Sequence, residues 1–325
     1  MPRFATLTSF MPATPEARPP GSTAVGILTI LCSLAGWTSI PLFLKHFAGE
    51  IDPYTANGWR YAFSALLWLP PLILAWRRGS LPPGVWRAAL WPAFFNIIAQ
   101  HAFGIAPYKM DPGLMTFALR AQVIFVTIGA AVMFAAERRV IKTPAYLTGL
   151  FMVLGGTVLT LWLRPGGIHG EVGIGAVWAI IAGAGYAAYA LSVRKLMHGM
   201  NPLLAFAAVS QYTAIALVGV MLIAGKDHGA TAWHLPNTQF TLLMLSAVIG
   251  IGFGHTCYFL AIQRLGLAVA NAVVQLQPIT VSLASMMIFG EKLTTVQWVT
   301  GTIAIAGAGL ILWAQSRTAA RPPAP

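Results

Sequence analysis

Arg120 stands eight residues into an apolar run, 112 to 135, that holds no other charge. A guanidinium stays ionised at physiological pH and presents five N–H donors in a planar fork that fits a carboxylate or a phosphate. The acidic residues Glu16, Glu50, Asp52, Asp111, Glu137, Glu171, Asp227 and Glu291 all fall in tails, loops or the ends of apolar runs, so Arg120 has no carboxylate at its own depth. An unpaired cation in an apolar setting demands water or an anion. The expectation is that Arg120 faces a wet cavity and holds an acidic group of a ligand, with Gln122 nearby; the alternative is a structural arginine bonded to helix carbonyls.

Neutral polar and aromatic residues supply the other candidates. Asn271 and Gln275 are four residues apart, as are Asn96 and Gln100, which puts each pair on one face of a helix. Tyr186 and Tyr189 on one run and Trp37 on another offer aromatic walls. Each of these, taken singly, also reads as packing or helix-to-helix bonding. His101 and His255 titrate near neutral pH and could pass protons or hydrogen-bond a ligand, although structural bonding between helices is the simpler role. No metal site is expected, since there is no His-Glu-x-x-His and no paired cysteine spacing, and no cofactor is expected either.

Long helices in lipid must position these residues. The chain is 57% hydrophobic and 9% charged, with mean hydropathy +0.72, which excludes an ordinary soluble domain. About 20 apolar residues cross a hydrocarbon core of ~30 Å. Ten such runs are expected: 22–47, 53–76, 85–107, 112–135 and 143–163, then 171–193, 201–224, 238–263, 266–290 and 294–315. Their length and lack of alternation exclude barrel strands. The fold class is thus an all-α integral membrane protein. At 1.5 Å per residue, Arg120 lies roughly 12 Å from the outer end of its run, near the midplane. The net charge of +12 does not mark a nucleic-acid partner. With the N-terminus cytoplasmic, thirteen Lys and Arg fall in inner segments and five in outer ones, a positive-inside bias that places both termini in the cytoplasm of a plasma (inner) membrane protein.

The two sets of five runs look like copies. Gly26 matches Gly175 and Pro53 matches Pro202 at a spacing of 149, with Trp37 opposite Tyr186. His101 matches His255 and Glu137-Arg138 matches Glu291-Lys292 at 154, while Thr148-Gly149 matches Thr300-Gly301 at 152. The expected organisation is a tail over 1–21, repeat 1 over 22–163, repeat 2 over 171–315 and a second tail over 316–325. Because five is odd, the second copy enters from the opposite side, and the two repeats are inverted.

Trp37 and Lys45 in the first run, Pro53 and Arg60 around the second, Gly-Glu-Lys-Leu at 290–293 and the Gly-rich fifth and tenth runs together resemble the EamA-like branch of the drug/metabolite transporter superfamily, over residues 22–315. The first copy reads Ala136-Glu137-Arg138-Arg139, without the glycine. The resemblance implies a ten-helix secondary carrier of small metabolites, often amino acids or amphipathic compounds, commonly working as an exporter. The expected partners are a small-molecule substrate and the lipid bilayer; a homodimer stays open.

An intramembrane enzyme is the first alternative, but no Gly-x-Ser-x-Gly, P-loop or acidic pair within the runs supports it; a passive channel is the second. Further expectations concern packing. Arg60, Lys45 and Arg194 are expected to reach the interface by snorkelling. Pro41 and Pro278 are expected to bend their helices. Glycines in runs six, eight and ten, among them Gly183, Gly254 and Gly307, are expected at helix contacts. Cys32 and Cys257 read as small apolar residues, Trp76, Trp86, Trp162, Trp298 and Trp313 as an interfacial belt, and no cleaved signal peptide is expected.

Overall fold

A computed structural model describes residues 22–134 and 137–319. The tail over 1–21 and residues 320–325 lie outside the described residues. Among the described residues there is no strand. The helices are α1 (Ser22–Phe47), α2 (Pro53–Arg77), α3 (Val85–Lys109), α4 (Pro112–Leu119), α5 (Gln122–Met133), α6 (Glu137–Ile141) and α7 (Pro144–Trp162) in the first half. The second half has α8 (Gly170–Leu196), α9 (Pro202–Ala224), α10 (Asn237–Ala247), α11 (Gly254–Leu265), α12 (Leu267–Val274), α13 (Gln277–Phe289) and α14 (Thr295–Ala319). Residues 316–319, read from sequence as the start of a tail, continue α14 as helix.

Among the described residues nine helical segments are long and apolar enough to cross a membrane. The expected second run, α2, is a helix of 25 residues, but its first half carries Tyr54, Asn57, Trp59 and Arg60 and it falls outside that set. The helix starts follow from capping. The Asp52 carboxylate accepts the N–H groups of Tyr54 and Thr55 at 3.0 and 2.9 Å ahead of Pro53. The Asn201 side chain does the same for Leu203 and Leu204 ahead of Pro202, 149 residues later. A side-chain cap followed by a proline, whose missing N–H would have no partner there, fixes a helix start.

The most extensive helix contacts all cross between halves: α3 with α8, α7 with α14, α2 with α9 and α1 with α11. Close backbone approach makes the α7–α14 contact. A Cβ built on Gly149 would stand 2.7 Å from the Gly307 carbonyl oxygen, and one on Gly307 would stand 2.6 Å from that of Gly149. Small residues are what permit such packing where lipid offers no hydrophobic drive. Trp76, Trp86 and Trp162 are exposed at helix ends, as an interfacial belt requires.

Two of the expected continuous runs are broken. Run four divides into α4 and α5 at Arg120–Ala121, and run nine divides into α12 and α13 at Gln275–Leu276, with each first piece eight residues long. The φ/ψ values are −64/−16 at Arg120 and −53/−19 at Ala121, against −62/−17 at Gln275 and −75/−9 at Leu276. These are 3₁₀-like values. The amide of Val123 bonds the Arg120 carbonyl and that of Ile279 bonds the Leu276 carbonyl, both at 3.0 Å and three residues back, so each helix tightens where it breaks. Pro278 sits in the first turn of α13, where its missing N–H leaves no orphan; Pro41 lies inside an unbroken α1. Run eight carries a π-helical segment, Val248–Phe253, between α10 and α11.

Candidate functional site

The two breaks meet at Arg120. Its Nη1 donates to the Gln275 side-chain oxygen at 2.7 Å and its Nη2 to that of Gln277 at 3.0 Å. Arg120 is 8% exposed, and its Nε is buried without a hydrogen-bond partner. Both acceptors are neutral amides, so the guanidinium charge is solvated but not neutralised. Gln277 carries the network on: its Nε2 donates to the Trp37 carbonyl at 3.0 Å.

The breaks are in register along the chain. Arg120 and Gln275 are 155 residues apart, as are Gln122 and Gln277, and Arg120 bonds both glutamines of the second interruption. Gln122 opens α5 beside Gly183, where an added Cβ would lie 3.0 Å from the Leu119 carbonyl oxygen and 3.1 Å from the Gln122 nitrogen. The bare glycine lets α8 approach the break.

Around this centre Trp37 packs on Tyr258 with ring centroids 4.9 Å apart, and on His255 at 5.2 Å, edge to face. The Tyr258 hydroxyl donates to the Asn271 side chain. Arg120, Gln275, Trp37 and Asn271 are therefore joined by contact, together with Gln277 and Tyr258. Gln277 is absent from the candidates read from sequence. His255 stacks on Phe206 at 4.2 Å and donates from Nδ1 to the Ile251 carbonyl at 3.1 Å, within the π-helical segment.

The remaining candidates lie on other contacts. Asn96 donates to Thr213 Oγ1 at 2.9 Å and ties α3 to α9. The Gln100 backbone carbonyl accepts from Asn57 Nδ2 at 2.8 Å. Tyr186 meets Phe103 edge to face at 6.1 Å. His101 stacks on Tyr54 at 5.6 Å and meets Trp178 at 5.9 Å, in an aromatic cluster separate from that of His255.

Arg60 departs from expectation. It does not snorkel: it is 2% exposed, and its Nε donates to Ser246 Oγ at 2.9 Å. Depth counted along α2 carried no information about direction, and the side chain turns inward to α10 instead of toward the interface.

Among the described residues the ion pairs sit at helix ends. Lys45–Glu291 at 3.8 Å, Arg164–Asp111 at 3.5 Å and Lys109–Glu171 at 2.9 Å belong to one end. Arg194–Glu137 at 2.7 Å belongs to the other, with the Arg194 guanidinium also 4.3 Å from the Phe134 ring centroid. Lys45 and Arg194 are 149 residues apart and Glu137 and Glu291 are 154 apart, spacings that also relate Pro53 to Pro202 and His101 to His255. Each of these two pairs takes its base from one half and its acid from the other. Burial pushes the Glu291 carboxyl above its ordinary range and Asp111 adds to that, against the Ser285 hydroxyl, Lys45 and Arg164, which favour the charged form.

Residues 173–313 match the EamA-like transporter family. A probable 4-amino-4-deoxy-L-arabinose-phosphoundecaprenol flippase subunit ArnE of Yersinia pseudotuberculosis serotype O:1b (strain IP 31758) is 27% identical over 112 residues, which are 32% of this chain and 98% of that protein. Its namesake in Yersinia pestis (strain Pestoides F) is 26% identical over the same length and coverage. One solved crystal structure matches 91% of this chain and 98% of its own with a TM-score of 0.60 at 16% identity, a likeness of fold.

Proposed function

We infer, from a chain whose residues 173–313 belong to the EamA-like transporter family, that this multi-pass membrane transporter is a secondary carrier of a small organic anion. An amino acid or a related carboxylate is the class proposed, moved outward by alternating access, with Arg120 on its acidic group. The observation that carries this reading is the meeting of two broken helices at one buried, un-neutralised arginine. Interrupted helices in transporters line a substrate site near the midplane.

Inverted repeats are part of the proposal. Exchanging the halves turns the Lys45–Glu291 pair into the Arg194–Glu137 pair at the opposite end. It also turns the α1–α11 contact into the α8–α3 contact. That relation supports two states in which each end opens by the same movement. Both pairs are made here, as in an occluded carrier. The tenth crossing is α2, whose 25 residues span roughly 37 Å at 1.5 Å each. The excess of Lys and Arg in alternate loops supports cytoplasmic termini in a plasma membrane. Saturable flux that is accelerated by substrate on the far side of a proteoliposome tests the class. Flux without saturation would make the protein a channel, and turnover without transport would make it an enzyme.

One observation favours a second reading, a lipid-linked phosphate as cargo. An open groove of about 310 Å³ runs between α1 and α13 along Leu31, Leu34 and Leu42 to Thr38 and Thr280. Those two threonines share a hydrogen bond of 2.6 Å and lie one and three residues from Trp37 and Gln277. A chain could lie in that groove with its head group at Arg120, and the ArnE relatives are by name flippase subunits for a phosphoundecaprenol-linked sugar. Movement of a polyprenyl phosphate between leaflets, without exchange of soluble acids, would select this reading.

A further inference from the structure

A buried arginine with donors to spare lies away from the Arg120 network. Among the described residues the one hydrogen bond of Arg60 is from Nε to Ser246 Oγ. Ser246 Oγ in turn donates to the Leu243 carbonyl at 2.6 Å, so it meets Arg60 as a neutral acceptor. Four of the five N–H donors of the guanidinium remain. Every ion pair among the described residues is at a helix end and none includes Arg60. Tyr108 and Tyr186 pack against the core cluster that holds Ala56, one turn before Arg60, and the Tyr108 hydroxyl is itself buried without a partner.

The position fits the proposed route. Arg60 is the eighth residue of α2, and Arg120 follows the eight residues of α4. Both helices start at the end that holds Lys45, Asp111 and Glu291. At 1.5 Å per residue, the arginines lie roughly 10 and 12 Å below that end, in one layer. Tyr186 packs in the same core cluster as Ala56, one turn before Arg60, and as Ala118 and Leu119, which precede Arg120.

An ionised, unpaired guanidinium in a membrane interior is costly unless an anion or water meets it. We propose that Arg60, with the hydroxyls of Tyr108 and Tyr186, holds a second acidic group of the carried molecule, so that the preferred substrate bears two anionic groups, one on each arginine. This rests on the reading of the chain as an anion carrier. A plain structural tie between α2 and α10 is the competing role for Arg60.

The test is counterflow in proteoliposomes with succinate, 3-phosphonopropionate and butyrate, comparing wild type with Arg60→Gln and Arg60→Lys. A charge-assisted hydrogen bond lost from a desolvated site corresponds to about 10- to 100-fold in affinity. The expected result is that Arg60→Gln raises the KM of the doubly acidic substrate by that factor relative to butyrate, with Arg60→Lys recovering part of it. Succinate or 3-phosphonopropionate, whichever wild type prefers, identifies the second group as a carboxylate or a phosphate-like oxyanion. Equal changes for one-acid and two-acid substrates, or a wild type that prefers butyrate, would overturn the second site and leave the carrier standing. Wild type exchanging neither of the two doubly acidic compounds would likewise overturn the second site.

Discussion

On the proposed alternating-access reading, removing one of the two ion pairs that join the halves at opposite ends should tip the protein toward one face. Glu291→Gln removes the acid from the Lys45 pair, and Glu137→Gln removes it from the Arg194 pair. Lys45 and Glu291 stand 3.8 Å apart with side chains 27% and 18% exposed, whereas Arg194 and Glu137 are 2.7 Å apart with side chains 47% and 20% exposed. Partial exposure keeps both near the scale of surface pairs, about 0.5–1 kcal/mol, with the shorter, charge-assisted contact at the upper end. A change of about 1 kcal/mol moves a two-state equilibrium about fivefold. Leu42 and Leu191 are buried one turn before Lys45 and Arg194 and are themselves 149 residues apart, so each can carry a reporter cysteine once Cys32 and Cys257 are replaced. Labelling by a membrane-impermeant maleimide supplied to both faces should rise about twofold at Leu42→Cys and fall at Leu191→Cys in Glu291→Gln, and do the reverse, by about fivefold, in Glu137→Gln. Exchanging the charges, Lys45→Glu with Glu291→Lys, should restore the wild-type rates. Labelling that rises at both positions in both variants would mean general loosening, and the reasoning about paired locks would be wrong.

Acidity should act on the same end. A carboxyl whose folded pKa is raised stabilises the fold while protonated; that contribution is complete below the ordinary 4.5 and is lost as pH rises through the raised value. The lock needs the ionised form, so lowering pH from neutral through that raised value should increase Leu42→Cys labelling in wild type, normalised to a free thiol at the same pH because the thiolate is the reactive form, and leave the normalised rate flat in Glu291→Gln. Replacing His101 and His255 with Gln should leave this acid response in place, because each ring is held in its own aromatic cluster. Gly149→Ala should lower thermal stability in detergent by about 1–3 kcal/mol through overpacking against α14, while Gly155→Ala, with nothing within 4 Å of its added Cβ, should be silent.

The apolar runs and the position of the lone charge in run four were legible because lipid imposes a coarse rule, about 20 apolar residues per crossing. The polar first half of α2 blurred that rule at one element. The helix breaks were not legible: ψ near −16° at Arg120 differs from the α value by a few tens of degrees, and no residue type demands it. Pro278 signals one break, but run four has no proline there. Gln277 was missed because the histidine and glutamate matches set the repeat at 154, while runs four and nine pair at 155; that one-residue drift hides Arg120 opposite Gln275. Arg60 was misread because the tendency of long cations to snorkel describes depth, whereas the inward turn to Ser246 depends on which neighbour packs beside it.

The measurement closest to the central claim is counterflow in proteoliposomes over a panel of amino acids, other carboxylates and organic cations, with wild type beside Arg120→Gln. Saturable exchange of a carboxylate that collapses in the variant, while the variant still folds and inserts, is the outcome expected of an arginine holding the substrate. Carboxylate exchange with unchanged KM and rate in Arg120→Gln would contradict it and reduce Arg120 to a tie between the two broken helices.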